Sequence, residues 1–289
     1  MNVLIATTAP INPNAFSIFG FPVAWYGVII GLGIMLAMYL ASKEGDLKGM
    51  PQDFILDLAF WTVPIAILGA RLYYVIFELD YYLANPTQIL QIWNGGLAIY
   101  GALIVGAITV YYYTKKRGVP FMLTLDVLAP GVLIAQSMGR WGNFINQEAH
   151  GAEVTREFLE GLFLPEFIIN QMNIEGVYYH PTFLYESLWS LLGFILILYI
   201  RQKPDFLREG EVMLTYIIWY SFGRFFIEGM RSDSLYFLGL RTSKVLSLLL
   251  FIGAIALWAY RRYNYYPPIP YYSSINLGMN PELPKKNKK

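Results

Sequence analysis

The sequence predicts an all-α, polytopic membrane protein with about seven transmembrane helices and a small extracytoplasmic head. Three observations predict it. Charged residues make up only 14% of the 289 residues, against roughly 25% in ordinary soluble domains. Hydrophobic residues reach 56% and aromatics 17%, and mean hydropathy is +0.44. Finally, apolar runs able to cross, or nearly cross, a ~30 Å hydrocarbon layer recur along the chain.

The opening MNVLIATTAPINPNAFSIFG lacks a basic n-region and a small-residue cleavage site, so it does not read as a removable signal peptide. Helices are expected over residues 23–40, 54–77, 97–113, 123–138, 183–200, 212–227 and 245–260. The fourth is the weakest, because Asp126, Pro130, Gly131 and Gln136 interrupt it. Residues 1–262 are expected to form one transmembrane domain. Within it, 141–180 are too polar and too long for a tight turn and form an extracytoplasmic head loop. Residues 263–289, rich in Tyr, Pro and Asn and ending KKNKK, read as a disordered cytoplasmic tail. Its lysines are either solvated or in contact with anionic headgroups. No internal repeat is visible, which disfavours inverted-repeat transporter designs.

Basic residues orient the bundle. With the N-terminus outside and seven spans, the outer side holds Arg140, Arg156, Arg231, Arg241 and Lys244. Arg71 and Arg224 lie in helices, and the other 14 of the 21 basic residues fall inside. Without the tail lysines the bias is 10 to 5 with or without the fourth span, so the tail separates those two models. The expected topology is N-terminus outside and C-terminus cytoplasmic, in a cell membrane.

Composition also excludes function classes. A net charge of +1 disfavours nucleic acid as a partner. There is no cysteine and there are two histidines, so neither a thiol nucleophile nor a zinc site is expected. No metal and no cofactor are expected.

Ionisable groups inside a membrane are costly, and each is a functional candidate by default. In WYSFGRFFIEGMR, Tyr220, Arg224 and Glu228 fall at i, i+4 and i+8 on one helical stripe, with Arg231 following. A self-neutralising Arg224–Glu228 pair would merely let the helix insert, but three donors and one acceptor exceed that need. In GRWGNFINQEAHG, Arg140 is followed by Asn143, Asn146, Gln147, Glu148, His150 and Gly151. Arginine offers a planar fork for phosphate oxygens, and amides can fix hydroxyls. The plain alternative is an interfacial loop anchored by Trp141 and a snorkelling Arg140. On position alone Tyr100, after the Gly95–Gly96 pair, and Tyr26 read as interfacial anchors before they read as catalytic groups. Arg71 lies seven residues before Glu78 on one face, and His180–Pro181 with Glu186 reads as a polar hinge or a site. Arg, Tyr, Asn and Glu in the outer half suit a phosphate-bearing lipid better than a central proton or metal pathway. A lipid or anion transporter using the same arginines remains the alternative. A purely structural partner protein would leave the Tyr220–Arg224–Glu228 stripe unexplained.

At these motifs the chain resembles the bacterial prolipoprotein diacylglyceryl transferases. GRWGNFINQEAHG is similar to the family signature, and WYG, GARL, WNGG, HPTFLYE and GRFFIEGMR match its other landmarks in order, from about residue 20 to 262. The resemblance implies transfer of the diacylglyceryl group of phosphatidylglycerol to the lipobox cysteine of a preprolipoprotein, forming a thioether and releasing sn-glycerol-1-phosphate. It implies that Arg140 binds the phosphate and that Arg224 is a second essential arginine. Asn143, Asn146, Glu148 and Gly151 would shape the headgroup pocket. Tyr220 and Glu228 would support Arg224, Arg231 would assist binding, and Tyr26 would lie near the lipid entry. Tyr100 takes the place of a histidine that many members carry and to which a base role is assigned. A phenol of pKa near 10 is a poor base at neutral pH, so either that role is not general or Tyr100 is perturbed.

Overall fold

The computed structural model describes residues 10–234, 236–237, 239–264 and 269–273. In chain order it contains β1 (Asn14–Ile18), β2 (Phe21–Ala24), α1 (Trp25–Leu47), α2 (Phe54–Phe77), α3 (Leu79–Ala84) and two 3-10 turns (Pro86–Leu90, Ile92–Asn94). These are followed by α4 (Ile99–Arg117), α5 (Phe121–Ile145), β3 (Glu153–Val154), α6 (Arg156–Gly161), α7 (Glu166–Gln171), β4 (Asn173–Ile174) and β5 (Val177–Tyr179). The chain then continues through α8 (Thr182–Arg201), α9 (Glu211–Met230), β6 (Tyr236–Phe237), β7 (Leu240–Arg241) and α10 (Thr242–Tyr263).

A long helix stands at each of the seven apolar runs. Five of them, α1, α2, α5, α8 and α10, are long and apolar enough to cross a membrane. The fourth run, expected to be weakest, is among the five. Asp126 is fully buried there, and Pro130 is tolerated within a helix packed in protein. The shortfall lies instead in α4, which ends in Lys115, Lys116 and Arg117, and in α9, which carries Glu211, Arg224 and Glu228. The fold departs from all-α by two short hairpins, β1–β2 and β6–β7, and a three-stranded sheet of order β3-β5-β4.

The described residues divide into two compact units. One runs up to Tyr39 and resumes at Leu128, and the other is Leu40–Val127. In the first, α1 approaches α5 closely enough that a Cβ on Gly131 would lie 3.0 Å from the Ala37 backbone. Helix α9 packs against both α8 and α10. The sheet, α6 and α7 form a small lobe with its own core of Phe144, Leu159, Ile168, Ile169, Met172 and Phe183. This lobe corresponds to the expected 141–180 loop with one correction. Residues 141–145 are the last turn of α5, because Trp141 and Phe144 pack with Phe183 and prolong the helix.

The tail reading needs correction over 269–273. Tyr271 is buried, and its amide donates to Leu207 O at 2.8 Å, while the Asp205 amide donates to Tyr272 O at 2.7 Å. An aromatic anchor and a backbone pairing order a stretch whose composition suggests disorder. The other tail residues beyond Asn264 lie outside the described residues.

In the second unit, α2 and α4 pack antiparallel, with Gly69 and Gly101 so close that a Cβ on Gly69 would lie 2.5 Å from Val105 Cβ. Small residues at such a crossing let backbones meet. Arg71 is buried and does not reach Glu78. It donates to the carbonyls of Gln88 (2.6 Å), Ile89 (2.9 Å), Gly95 (2.7 Å) and Gly96 (2.9 Å). The guanidinium therefore replaces the backbone partners that the turn between α3 and α4 lacks.

Candidate active site

Because α5 extends to Ile145, Arg140 and Asn143 lie one turn apart on a helix, where the sequence suggested a loop. Arg140 NH1 donates to Asn143 Oδ1 at 3.2 Å, and Asn143 Nδ2 donates to Glu148 Oε1 at 2.8 Å. The chain reverses after the helix through Gln147 and Ala149, at φ 55° and 58°. Left-handed backbone at a non-glycine residue costs on the order of 1–3 kcal/mol. The reversal also brings the Glu148 amide to Asn143 O at 3.0 Å. Asn143 thus couples the arginine to the turn at both ends of its amide.

On α8, Glu186 stands in the second turn with its carboxylate almost wholly buried. Its Oε2 pairs with Arg140 Nε and its Oε1 with Arg224 NH1. Arg231 NH1 lies 4.0 Å from Oε1. Arg224 also holds Glu228 Oε2 at 2.6 Å through NH2, so the expected stripe forms an ion pair one turn apart. The Glu228 carbonyl in turn accepts from Arg241 NH1. Two guanidiniums from α5 and α9 therefore converge on one buried carboxylate on α8. Ser137 and Ser187 join α5 to α8 beneath it, with Trp141 Nε1 donating to Ser187 Oγ at 3.1 Å.

The remaining expected residues are placed unevenly. Tyr26, at the start of α1, packs against Gly142, where a Cβ would stand 2.5 Å from its ring. Gly151 has a similar steric reason, since its Cβ would lie 2.5 Å from His180 Cβ. Its amide donates to His180 O at 2.9 Å, and it bridges to Arg231. Arg231 is forked onto Asp233 at 2.9 and 2.7 Å. Burial alone would raise the Asp233 carboxyl, but Arg231 outweighs it and holds Asp233 below its ordinary value. Tyr220 stacks on Tyr216, whose hydroxyl accepts from Gln136 at 3.1 Å. Among the described residues Asn146 is exposed and outside the hydrogen-bonded network. Tyr100 occupies the first turn of α4 in the Leu40–Val127 unit.

Glu186 is the residue that sequence reasoning undervalued. The signal was there, a carboxylate in an apolar helix, but only the fold reveals that two arginines from other helices meet it.

A family model for prolipoprotein diacylglyceryl transferase matches residues 13–260. The chain belongs to that family. It is 54% identical over 269 residues to a Listeria welshimeri phosphatidylglycerol–prolipoprotein diacylglyceryl transferase, covering 93% of this chain and 96% of the relative. A Bacillus cereus relative of the same name is 55% identical, with 90% and 96% covered. One from Enterococcus faecalis is 52% identical, with 92% and 95% covered. Family membership and the apolar helices together make the chain a multi-pass membrane protein.

Proposed function

We propose that this chain transfers the diacylglyceryl group of phosphatidylglycerol to the lipobox cysteine of a preprolipoprotein, the first step of lipoprotein maturation. It does so from a seven-span bundle with its N-terminus and the small lobe outside and its C-terminus in the cytoplasm. The observation that carries this reading is the convergence of Arg140 and Arg224 on Glu186. Two forks aimed at one carboxylate suit an anion with several oxygens, such as a phosphodiester.

The substrate thiol attacks the glyceryl CH2 carbon. A C–S bond forms, the C–O bond to phosphate breaks, and sn-glycerol-1-phosphate leaves, the thiol proton passing to solvent or to the departing phosphate. The nucleophile belongs to the substrate, so the chain needs no cysteine of its own. A free thiol has pKa near 8.5, and nearby positive charge raises its thiolate fraction. Negative charge grows on the leaving phosphate, where preorganised donors contribute most. Arg140 and Arg224 serve as those donors. Glu228 and Asn143 hold them, Glu148, Asn146, Gly151, Tyr220 and Arg231 border the headgroup, and Tyr26 borders the lipid entry. Tyr100 donates or positions and is not a free-standing base.

The test uses detergent-solubilised protein, phosphatidylglycerol and a lipobox peptide. Thioether-linked diacylglyceryl peptide and sn-glycerol-1-phosphate are expected in equal amounts, with neither product when serine replaces the peptide cysteine. Headgroup release that continues with the serine peptide would overturn the reading.

A further inference from the structure

The Arg224–Glu186 pair joins α9 to α8, and a second contact between the same helices stands just below it. Trp189 and Trp219 stack with centroids 4.2 Å apart and planes at 10°. Each indole N–H donates to the other tryptophan's own carbonyl, both at 2.9 Å. A helix carbonyl has two lone pairs, so it can take this bond beside its helical one. Each tryptophan is followed four residues later by a glycine, Gly193 or Gly223, on the same helical face. A Cβ on Gly193 would collide with the Trp219 indole, and one on Gly223 with Trp189. The contact is therefore reciprocal, and each half needs the other helix's glycine. A slip of one residue along α9 moves its groups by about 1.5 Å and turns them by about 100°, which neither the stack nor the paired bonds permit.

We propose that Trp189 and Trp219 are positioning residues for the transfer reaction, a register clasp that keeps Arg224 on Glu186. Glu186 lies three residues before Trp189, and Arg224 directly follows Gly223, so fixing one pair fixes the other. The proposal rests on the reading of Arg140, Arg224 and Glu186 as the phosphate site. A displacement near 1 Å in a reacting constellation costs on the order of 10²-fold in rate.

The test uses the full chain in detergent with four variants: Trp189→Phe, Trp219→Phe, Gly193→Ala and, as a control on the other unit, Trp61→Phe. Stacked indoles couple excitonically, so the wild type should show a far-ultraviolet circular dichroism couplet that Trp61→Phe keeps and each of the three clasp variants loses. Turnover should fall about 10- to 100-fold in Trp219→Phe and Gly193→Ala, with KM for phosphatidylglycerol unchanged, because a displaced Arg224 loses a transition-state contact. Trp61→Phe should keep wild-type turnover. Should Trp219→Phe fail to fold, Gly193→Ala, which retains both indoles, carries the test alone. Wild-type turnover without the couplet would overturn the proposal, as would a loss confined to KM or a wild-type chain with no couplet. Full turnover by Arg224→Ala would instead defeat the site reading, while the couplet would still report the clasp.

Discussion

Replacing Arg140 by lysine should be nearly as damaging as replacing it by alanine. The guanidinium is committed on two sides, Nε to Glu186 and NH1 to Asn143 at 3.2 Å, which leaves NH2 for substrate. A lysine has one nitrogen to serve positions that the fork covers with three. If it takes the place of Nε, the phosphate loses its donor. If it reaches the phosphate, Glu186 keeps Arg224 alone and the two arginines are no longer tied together. Loss of one preorganised donor at a developing oxyanion costs roughly 10²–10³ in kcat, or about 2.7–4 kcal/mol. Arg140→Lys is therefore expected about 10²-fold or more below wild type, and within about tenfold, or 1.4 kcal/mol, of Arg140→Ala. The assay follows sn-glycerol-1-phosphate release from phosphatidylglycerol with a lipobox peptide, with kcat and KM determined separately. A lysine variant with near-wild-type kcat would refute the bidentate argument and leave charge alone as the requirement.

Tyr100→Phe removes only a hydroxyl. If that hydroxyl meets a charged group, about 1.5–3 kcal/mol is lost, or roughly 10- to 150-fold in rate, with Tyr100→His recovering part of it; a fully active Phe variant would show the hydroxyl idle. Arg71→Ala strands four carbonyls, and at about 1–3 kcal/mol for each left buried and unpaired it should lower the thermal midpoint and expose the 86–98 segment to protease; wild-type resistance would contradict this. His180 is held below its ordinary value by burial, so as pH falls the unfolded chain takes up a proton that the folded chain refuses. Stability is then full above about pH 6.5 and is lost on acidification through the folded value, a loss that His180→Gln should reduce in thermal melts at pH 5 and 8 and that would be refuted by parallel profiles. Chelation by EDTA should leave turnover unchanged, and a loss restored by divalent metal would contradict that.

Much of the fold was legible because apolar length is a strong, local signal. It located the seven long helices among the described residues, and 54–77 matches α2 residue for residue. What it misjudged depends on partners. Pro130 and Asp126 weaken α5 on paper, yet the helix is buried in protein and tolerates both. Arg140 looked like the start of a loop because glycines and asparagines follow it, but packing of Trp141 and Phe144 on Phe183 carries the helix onward. Arg71 looked like half of an ion pair with Glu78. Its real partners are backbone carbonyls, which no side-chain spacing encodes. In the site, Arg224 and Glu228 were legible as an i, i+4 pair. Glu186 was not, because its meaning depends on two residues 46 and 38 positions away in sequence. The ordered stretch 269–273 was equally hidden, since its partners lie at 205–209.

Whether Arg140 and Arg224 act together on one phosphate is decided by a structure of the wild-type protein with phosphatidylglycerol bound. The lipid phosphate oxygens are expected to accept from both guanidiniums at charge-assisted distances of about 2.7–2.9 Å, beside or in place of the Glu186 carboxylate. A phosphate seated elsewhere, with Arg140 and Arg224 still closed on Glu186 alone, would contradict it.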